Sequence, residues 1–129
     1  MEINKKGKMS KIKVFISSTM EDMQKEREAV KTALERLDFI EPIFAESFPA
    51  QPHSPKKVCL DEVKNSHIYV GIFKDRYGWV PQVENPERLS VTAIEYHEAV
   101  RNNIPTLIFR VFVIYREKRL CISLSERVL

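Results

Sequence analysis

Residues 12–22, IKVFISSTMED, decide the fold of this chain. The first five residues are one lysine and four apolar residues, three of them β-branched. The run is too short for a helix and predicts a strand buried largely on both faces. Three hydroxyl residues follow the strand: Ser17, Ser18 and Thr19. A helical pattern comes next, and the pairs Ser18–Glu21 and Thr19–Asp22 have capping-box spacing, which predicts a helix start at the strand end.

A helix start outside the carboxyl end of a strand is a common ligand site in open α/β sheets. Its free backbone N–H groups suit a phosphate or a carboxylate. Within this helix, Arg27 interrupts the apolar stripe. It is either a snorkelling stem at the edge of the buried face or a side chain turned toward the strand end.

Strand and helix patterns alternate along the rest of the chain. Apolar spacing predicts helices over residues 20–37, 55–66 and 90–104, the last capped by Ser90 or Thr92, and strands over 39–44, 67–73 and 106–115. Pro42 assigns the second strand to a sheet edge. Right-handed crossovers then predict a flavodoxin-like, doubly wound, mostly parallel α/β sheet in the order 2-1-3-4. Alternation at residues 120–124 predicts a fifth, C-terminal strand.

The third predicted strand also ends in a polar turn. This turn carries four candidate ligand-binding residues: Asp75, Arg76, Tyr77 and Trp79. Because neighbouring parallel strands end at the same edge, we expect them beside residues 17–19, with Glu95 of the third helix. Each candidate also has a structural interpretation: a helix cap, an Asp75–Arg76 ion pair, rings covering the core edge, and a capping box between Thr92 and Glu95.

Composition narrows the class of protein. The 129 residues are 43% hydrophobic and 30% charged, which predicts one domain, residues 11–129, behind a flexible basic leader at residues 1–10. The +3 charge lies mainly near the two ends, without interleaved aromatics, which argues against nucleic acid as a partner.

Cys59 and Cys121 lack metal or disulfide spacing and are interpreted as reduced core thiols, so we expect no metal. Without a signal or membrane-length segment, we expect a cytoplasmic protein that does not enter membranes. No closing helix follows the last strand, so we expect further domains or a partner subunit.

Five motifs in order closely resemble the domain-of-unknown-function family numbered 4062: KVFISSTMEDMQKEREAV, FPA at residues 48–50, SPKKVCLDEV, DRYG at 75–78 and TAIEYHEA. The resemblance covers roughly residues 11–110, and the sequence departs from the family after Arg110. It implies a TIR-like domain, similar also to nucleoside deoxyribosyltransferases, that forms the amino-terminal part of a larger protein. In those relatives a glutamate after the third strand attacks or stabilises the sugar carbon of an N-glycosidic bond. Glu95 occupies the matching topological place.

Two hypotheses follow. In the first, the chain is a TIR-like interaction or nucleotide-sensing module of a larger signalling or defence-type protein. It would assemble with itself or with further domains, and would bind an NAD-like nucleotide while requiring no cofactor. In the second, it is a nucleotide N-glycosidase or transferase of the NAD glycohydrolase type, with Glu95 as the catalytic carboxylate. Residues 17–19 and Arg76 would hold phosphate, and Tyr77 or Trp79 would stack on the base. The first is favoured, because a fold does not carry an activity and no second catalytic group is evident beside Glu95.

Overall fold

The computed structural model describes residues 9–19, 23–44, 55–74, 80–82, 85–111 and 122–124, together with Gly7 and Gly78. Within these residues, five strands and three helices alternate along the chain. They are β1 (Ile12–Ser18), α1 (Gln24–Glu35), β2 (Ile40–Phe44), α2 (Pro55–Lys64), β3 (Ile68–Phe73), α3 (Val91–Arg101), β4 (Thr106–Val111) and β5 (Ile122–Leu124).

The strands form one sheet in the order β2-β1-β3-β4-β5. The first four are parallel to one another, and β5 pairs antiparallel with β4. This arrangement confirms the predicted flavodoxin-like α/β fold with the strand order 2-1-3-4. β2 lies at the sheet edge, where its Pro42 pairs in register with Val14 of β1, as expected for a residue that cannot donate a ladder hydrogen bond.

β1 is one of the two central strands of the parallel part, and its residues 14 to 18 are all buried. Successive side chains of a strand point to opposite faces of the sheet. Val14 and Ile16 therefore join the apolar cluster on the α1 side, together with Met23. Phe15 joins the cluster on the α2 and α3 side, where Val63 and Ala99 pack. Ser17 continues the Phe15 face and Ser18 the α1 face.

The predicted start of the first helix is wrong. α1 begins at Gln24, and its N-cap is Met23, whose side chain makes no capping hydrogen bond. Ser18 does not cap this helix, because β1 runs on through Ser18 and its side chain is engaged by Arg27. Glu21 and Asp22, the partners in the two predicted capping boxes, lie outside the described residues. The Ser18 side chain therefore bonds to Arg27 in place of the capping contact that the local spacing predicts.

The third helix starts where one of the two predicted caps lies. Ser90 is the N-cap of α3, and its Oγ accepts a hydrogen bond from the Ala93 N–H at 3.2 Å. The capping box between Thr92 and Glu95 does not form, because the Glu95 side chain is bonded elsewhere. None of the three helices in the described part of the chain is long and apolar enough to cross a membrane.

Candidate functional site

Ser17 and Glu95 meet at the carboxyl end of β1. The Ser17 hydroxyl donates to Glu95 Oε2 at 2.5 Å, across 78 residues of sequence. Ser17 is 1% exposed and Glu95 4% exposed. The contact is short, as expected when a hydroxyl donates to a carboxylate. It joins β1 to the second turn of α3, and it excludes the interpretation of Glu95 as a cap of its own helix.

The start of α3 is held in a way that aims Glu95 at the sheet. The Asn85 side chain donates to the carbonyls of Pro81 and Leu89 and accepts from the Leu89 N–H, at 2.8 to 3.1 Å. These bonds shape the loop that ends at the Ser90 cap. One helical turn after Glu95, Ala99 is fully buried against the sheet. Residues four apart share a helix face, so this packing also turns Glu95 inward.

Burial makes the Glu95 carboxyl unusual. Desolvation raises the pKa of Glu95 from 4.5 to about 7, against the lowering effects of the Ser17 hydroxyl, the Cys59 thiol and the Arg27 charge. At neutral pH the carboxyl therefore exists in both protonation states. Carboxyl groups shifted in this way are typical of functional sites, although structural networks shift them too.

Two further polar side chains lie in the same buried cluster. Burial, followed by the charge of Glu95, raises the pKa of the Cys59 thiol to about 12. Burial also raises the pKa of Tyr69, an effect that Ser17 opposes and the charge of Glu95 reinforces. Ser17 is near enough to influence Tyr69, but the contact falls outside hydrogen-bond geometry, and the Tyr69 hydroxyl has no hydrogen-bond partner among the described residues.

On the other face of β1, Ser18 contacts a buried arginine. Arg27 Nη1 donates to Ser18 Oγ at 2.7 Å and lies 3.4 Å from the Ser18 carbonyl oxygen. The guanidinium carbon lies 5.6 Å from the centre of the Phe44 ring. Arg27 is only 6% exposed, so of its two interpretations the structure shows the one in which it turns toward the strand end. A cation is thus placed at this edge of the sheet, within electrostatic reach of Glu95.

Gly78, five residues after the end of β3, lies at the same edge of the sheet. A methyl group built on its α-carbon would lie 3.1 Å from Thr19 Cγ2 and 3.6 Å from Thr92 Oγ1. The φ angle of Gly78 is +94°, a conformation that other residues rarely adopt. The ends of β1 and β3 and the start of α3 therefore meet at one rim.

The structure places only part of the predicted site. It brings Ser17 and Glu95 into contact and puts Ser18 and Thr19 beside them. The other candidates, Asp75, Arg76, Tyr77 and Trp79, lie outside the described residues, and their place in the site stays a prediction. Within the described ranges, no three histidine, cysteine or acidic side chains cluster as a metal site would require.

Sequence reasoning missed the roles of Cys59 and Tyr69, and it left the role of Arg27 open between two interpretations. The two uncharged ones occupy positions in apolar stripes and look like ordinary core residues. Arg27 carried a signal, since a charged residue inside an apolar helical stripe needs a buried partner or a route to solvent. Cys59 is buried and free of any disulfide.

The fold and this buried edge define the chain as a flavodoxin-like α/β domain with a polar cluster beneath the carboxyl ends of its strands. Residues 13–116 match the family described as Domain of unknown function (DUF4062), and the chain belongs to this family.

The chain is similar to short segments of much longer proteins. It is 35% identical over 83 residues to Telomerase protein component 1 of Mus musculus, an alignment that covers 54% of this chain and 3% of that protein. The Rattus norvegicus protein of the same name matches equally. A TPR repeat-containing protein of Dictyostelium discoideum is 31% identical over 84 residues, covering 55% of this chain and 5% of that protein. The matched segment is thus a small part of each relative.

Proposed function

We propose that this chain is a TIR-like, nucleotide-sensing module of a larger protein, with its ligand site at the carboxyl edge of β1 and β3. The observation that carries the proposal is the contact between Ser17 and Glu95, two residues from distant parts of the chain that meet at this edge. In parallel α/β sheets, ligands bind outside the carboxyl ends of the strands, where the strand order reverses. β1 and β3 flank that reversal here.

The charges at this edge suit a nucleotide. The Arg27 guanidinium and the Ser18 and Thr19 hydroxyls provide a cationic, hydrogen-bonding side for a phosphate. Glu95 provides an acceptor for the hydroxyls of a ribose. That the matched segment covers only 3% to 5% of its relatives supports the interpretation of the chain as one module among others.

Ligand binding can be tested directly on the 129-residue chain. NAD, ADP-ribose and AMP are titrated into isotope-labelled protein, and backbone amide shifts are followed by NMR. We expect saturable shifts at residues 17–19 and around Glu95. Glu95→Ala should weaken binding at least about tenfold, the value of one lost charge-assisted hydrogen bond. The matched control is Glu28→Ala, on the exposed face of α1, which should bind like the wild type. Absence of saturable shifts with all three nucleotides would refute the proposal.

A second candidate function is an N-glycosidase that uses Glu95 as its nucleophile. The specific observation in its favour is the Glu95 carboxyl itself, with a pKa of about 7 and a hydroxyl holding one oxygen. The carboxylate would attack the ribose carbon of NAD. The bond to the nicotinamide nitrogen would break, and its electron pair would leave with neutral nicotinamide. Water would then displace the carboxylate and lose a proton, giving ADP-ribose.

The burial of Glu95, only 4% exposed, weighs against this second function. Nicotinamide release is measured by chromatography, with the protein dilute and at concentrations that promote assembly. If the chain is a glycosidase, nicotinamide release should be abolished in Glu95→Gln. In the wild type it should rise with pH through about 7, because only the carboxylate is nucleophilic. NAD that binds without any release of nicotinamide leaves the sensing function and excludes the enzyme.

A further inference from the structure

Tyr69 places a hydroxyl group where a phenylalanine would pack as well. The residue is fully buried. Its ring stacks on Phe15 and meets Tyr96 edge-on, with ring centres 6.1 Å apart in both pairs. Its hydroxyl has no hydrogen-bond partner among the described residues. An unsatisfied buried hydroxyl opposes folding, so such a group calls for a functional or structural explanation.

Ser17 is the polar neighbour that can accept from this hydroxyl. It lies two residues after Phe15 on the same face of β1, and it is close enough to affect the pKa of Tyr69. A serine hydroxyl has one hydrogen and two lone pairs. While Glu95 is ionised, the hydrogen of Ser17 is donated to Glu95 Oε2, so toward Tyr69 the serine then acts as an acceptor.

The direction of the contact is fixed from the other side as well. Because burial raises the pKa of Tyr69, its hydroxyl keeps its proton and remains a donor throughout the physiological range. Glu95 Oε2 is the acceptor at the far end. When Glu95 is ionised, the three groups can therefore be linked in one order: Tyr69 donates to Ser17, and Ser17 donates to Glu95.

We propose that Tyr69 is a positioning residue, which holds Ser17, and through it Glu95, in a directed chain of hydrogen bonds. The first bond does not form in the described geometry, so the proposal requires a small rearrangement of the Tyr69 and Ser17 side chains. The chain keeps Glu95 Oε2 occupied as an acceptor and fixes the orientation of the carboxyl group that a ligand would meet. This functional meaning rests on the proposed function, whereas the chain of hydrogen bonds does not.

A double-mutant cycle tests the chain without any ligand. Wild type, Tyr69→Phe, Ser17→Ala and the double variant are titrated while the carboxyl carbon of Glu95 is followed by NMR. We expect Ser17→Ala to tighten proton binding at Glu95 about tenfold, because a donor to the carboxylate is lost. Tyr69→Phe should tighten it about twofold, since it only weakens the donor Ser17. In the Ser17→Ala background, Tyr69→Phe should have no effect.

The other groups that face this cluster are unchanged in all four proteins. They are the Cys59 thiol on α2 with Glu62 near it, and Arg27 on α1, and their contributions cancel in the cycle. Tyr96→Phe is the matched control, because it removes the hydroxyl of the neighbouring ring. If Tyr69 only packs in the core, Tyr69→Phe leaves the Glu95 titration unchanged in the wild-type background as well as in the Ser17→Ala background. That result, or an equal shift in both backgrounds, would overturn the proposal.

A measurement on the wild type covers the case in which a variant does not fold. Exchange of the Tyr69 hydroxyl proton is followed through the deuterium isotope shift on the ring carbon that bears the oxygen. A hydroxyl that donates to Ser17 should exchange slowly, and fast exchange would contradict the chain. Failure of nucleotide binding leaves both measurements unaffected, so the two proposals fail separately.

Discussion

Replacing Glu95 by glutamine should stabilise this domain at neutral pH. In the fold the pKa of Glu95 is raised by burial to about 7, against an ordinary value of 4.5. Below pH 4.5 the carboxyl is protonated in both the folded and the unfolded chain. Between the two pKa values only the folded chain keeps the proton, so the free energy of unfolding falls as the pH rises, and it levels off above about 7.

The size of the effect follows from the same two values. Each pKa unit is worth about 1.4 kcal/mol of differential stability, so the ionisation of Glu95 costs the fold about 3 kcal/mol by pH 8. Glutamine has nearly the same shape and no charge to desolvate. Its carbonyl oxygen can still accept the hydrogen bond from Ser17. The variant should therefore escape this loss while keeping the contact with β1.

The assay is urea unfolding at pH 4.5, 5.5, 6.5 and 8 for the wild type, Glu95→Gln and Glu28→Gln. Glu28 lies on the exposed face of α1 and controls for the loss of one negative charge. The stability advantage of Glu95→Gln over the wild type should grow by about 3 kcal/mol from the lowest to the highest pH. The control should follow the wild type. Parallel curves for the wild type and Glu95→Gln would show that the buried carboxyl does not hold a proton at neutral pH, and would refute the reasoning.

Three substitutions, two of them with a comparison variant, test the residues around the site by urea unfolding. Arg27→Ala should cost about 2–4 kcal/mol, because it leaves Ser18 and the Phe44 ring without their buried partner, and a cost below 1 kcal/mol would contradict that contact. Ser90→Ala should cost about 1 kcal/mol through loss of the α3 cap, whereas Ser90→Gly should cost only a few tenths. Gly78→Ala should destabilise more than Gly7→Ala. Both have positive φ, but only Gly78 has a neighbour, 3.1 Å from the added methyl group; equal effects would show that the turn does not pack on β1.

The sheet was predictable because its determinants are local. The alternation around Val14 and Ile16 identifies a central strand, Pro42 identifies an edge, and the handedness of crossovers then leaves one strand order. Helix starts were less predictable. Ser18 has capping-box spacing, but β1 runs on through this residue and its side chain bonds to Arg27 of α1 instead. Where no such partner exists, as at Ser90, the local signal predicted the cap correctly.

The site was predictable to the extent that parallel strands end at a common edge. That rule led to the expectation that Ser17 and Glu95 approach each other, and they are in contact. Whether they bind a ligand stays a prediction. Tyr69 and Cys59 could not be found in this way, because their polar atoms lie on side chains whose position in the pattern is that of core residues. Their roles come only from their closeness to Glu95 in the fold. Contacts between different helices and strands cannot be read from the periodicity of a sequence.

A purely structural role for Glu95, Tyr69 and Arg27 is weakened by the folding free energy that burying their polar groups costs. An ionised Glu95, an unsatisfied Tyr69 hydroxyl and a buried Arg27 each oppose folding unless fully compensated, and well-packed apolar residues often serve a core better. The Ser90 cap, by contrast, contributes to stability and needs no other purpose. The two kinds of residue should therefore separate in experiment. Glu95→Gln should gain stability at neutral pH and lose nucleotide affinity, while Ser90→Ala should lose stability and keep affinity in the folded protein. Such a trade of stability for binding is the pattern of a functional site, and a Glu95→Gln variant that is both more stable and unchanged in binding would leave the carboxyl without a function in this fold.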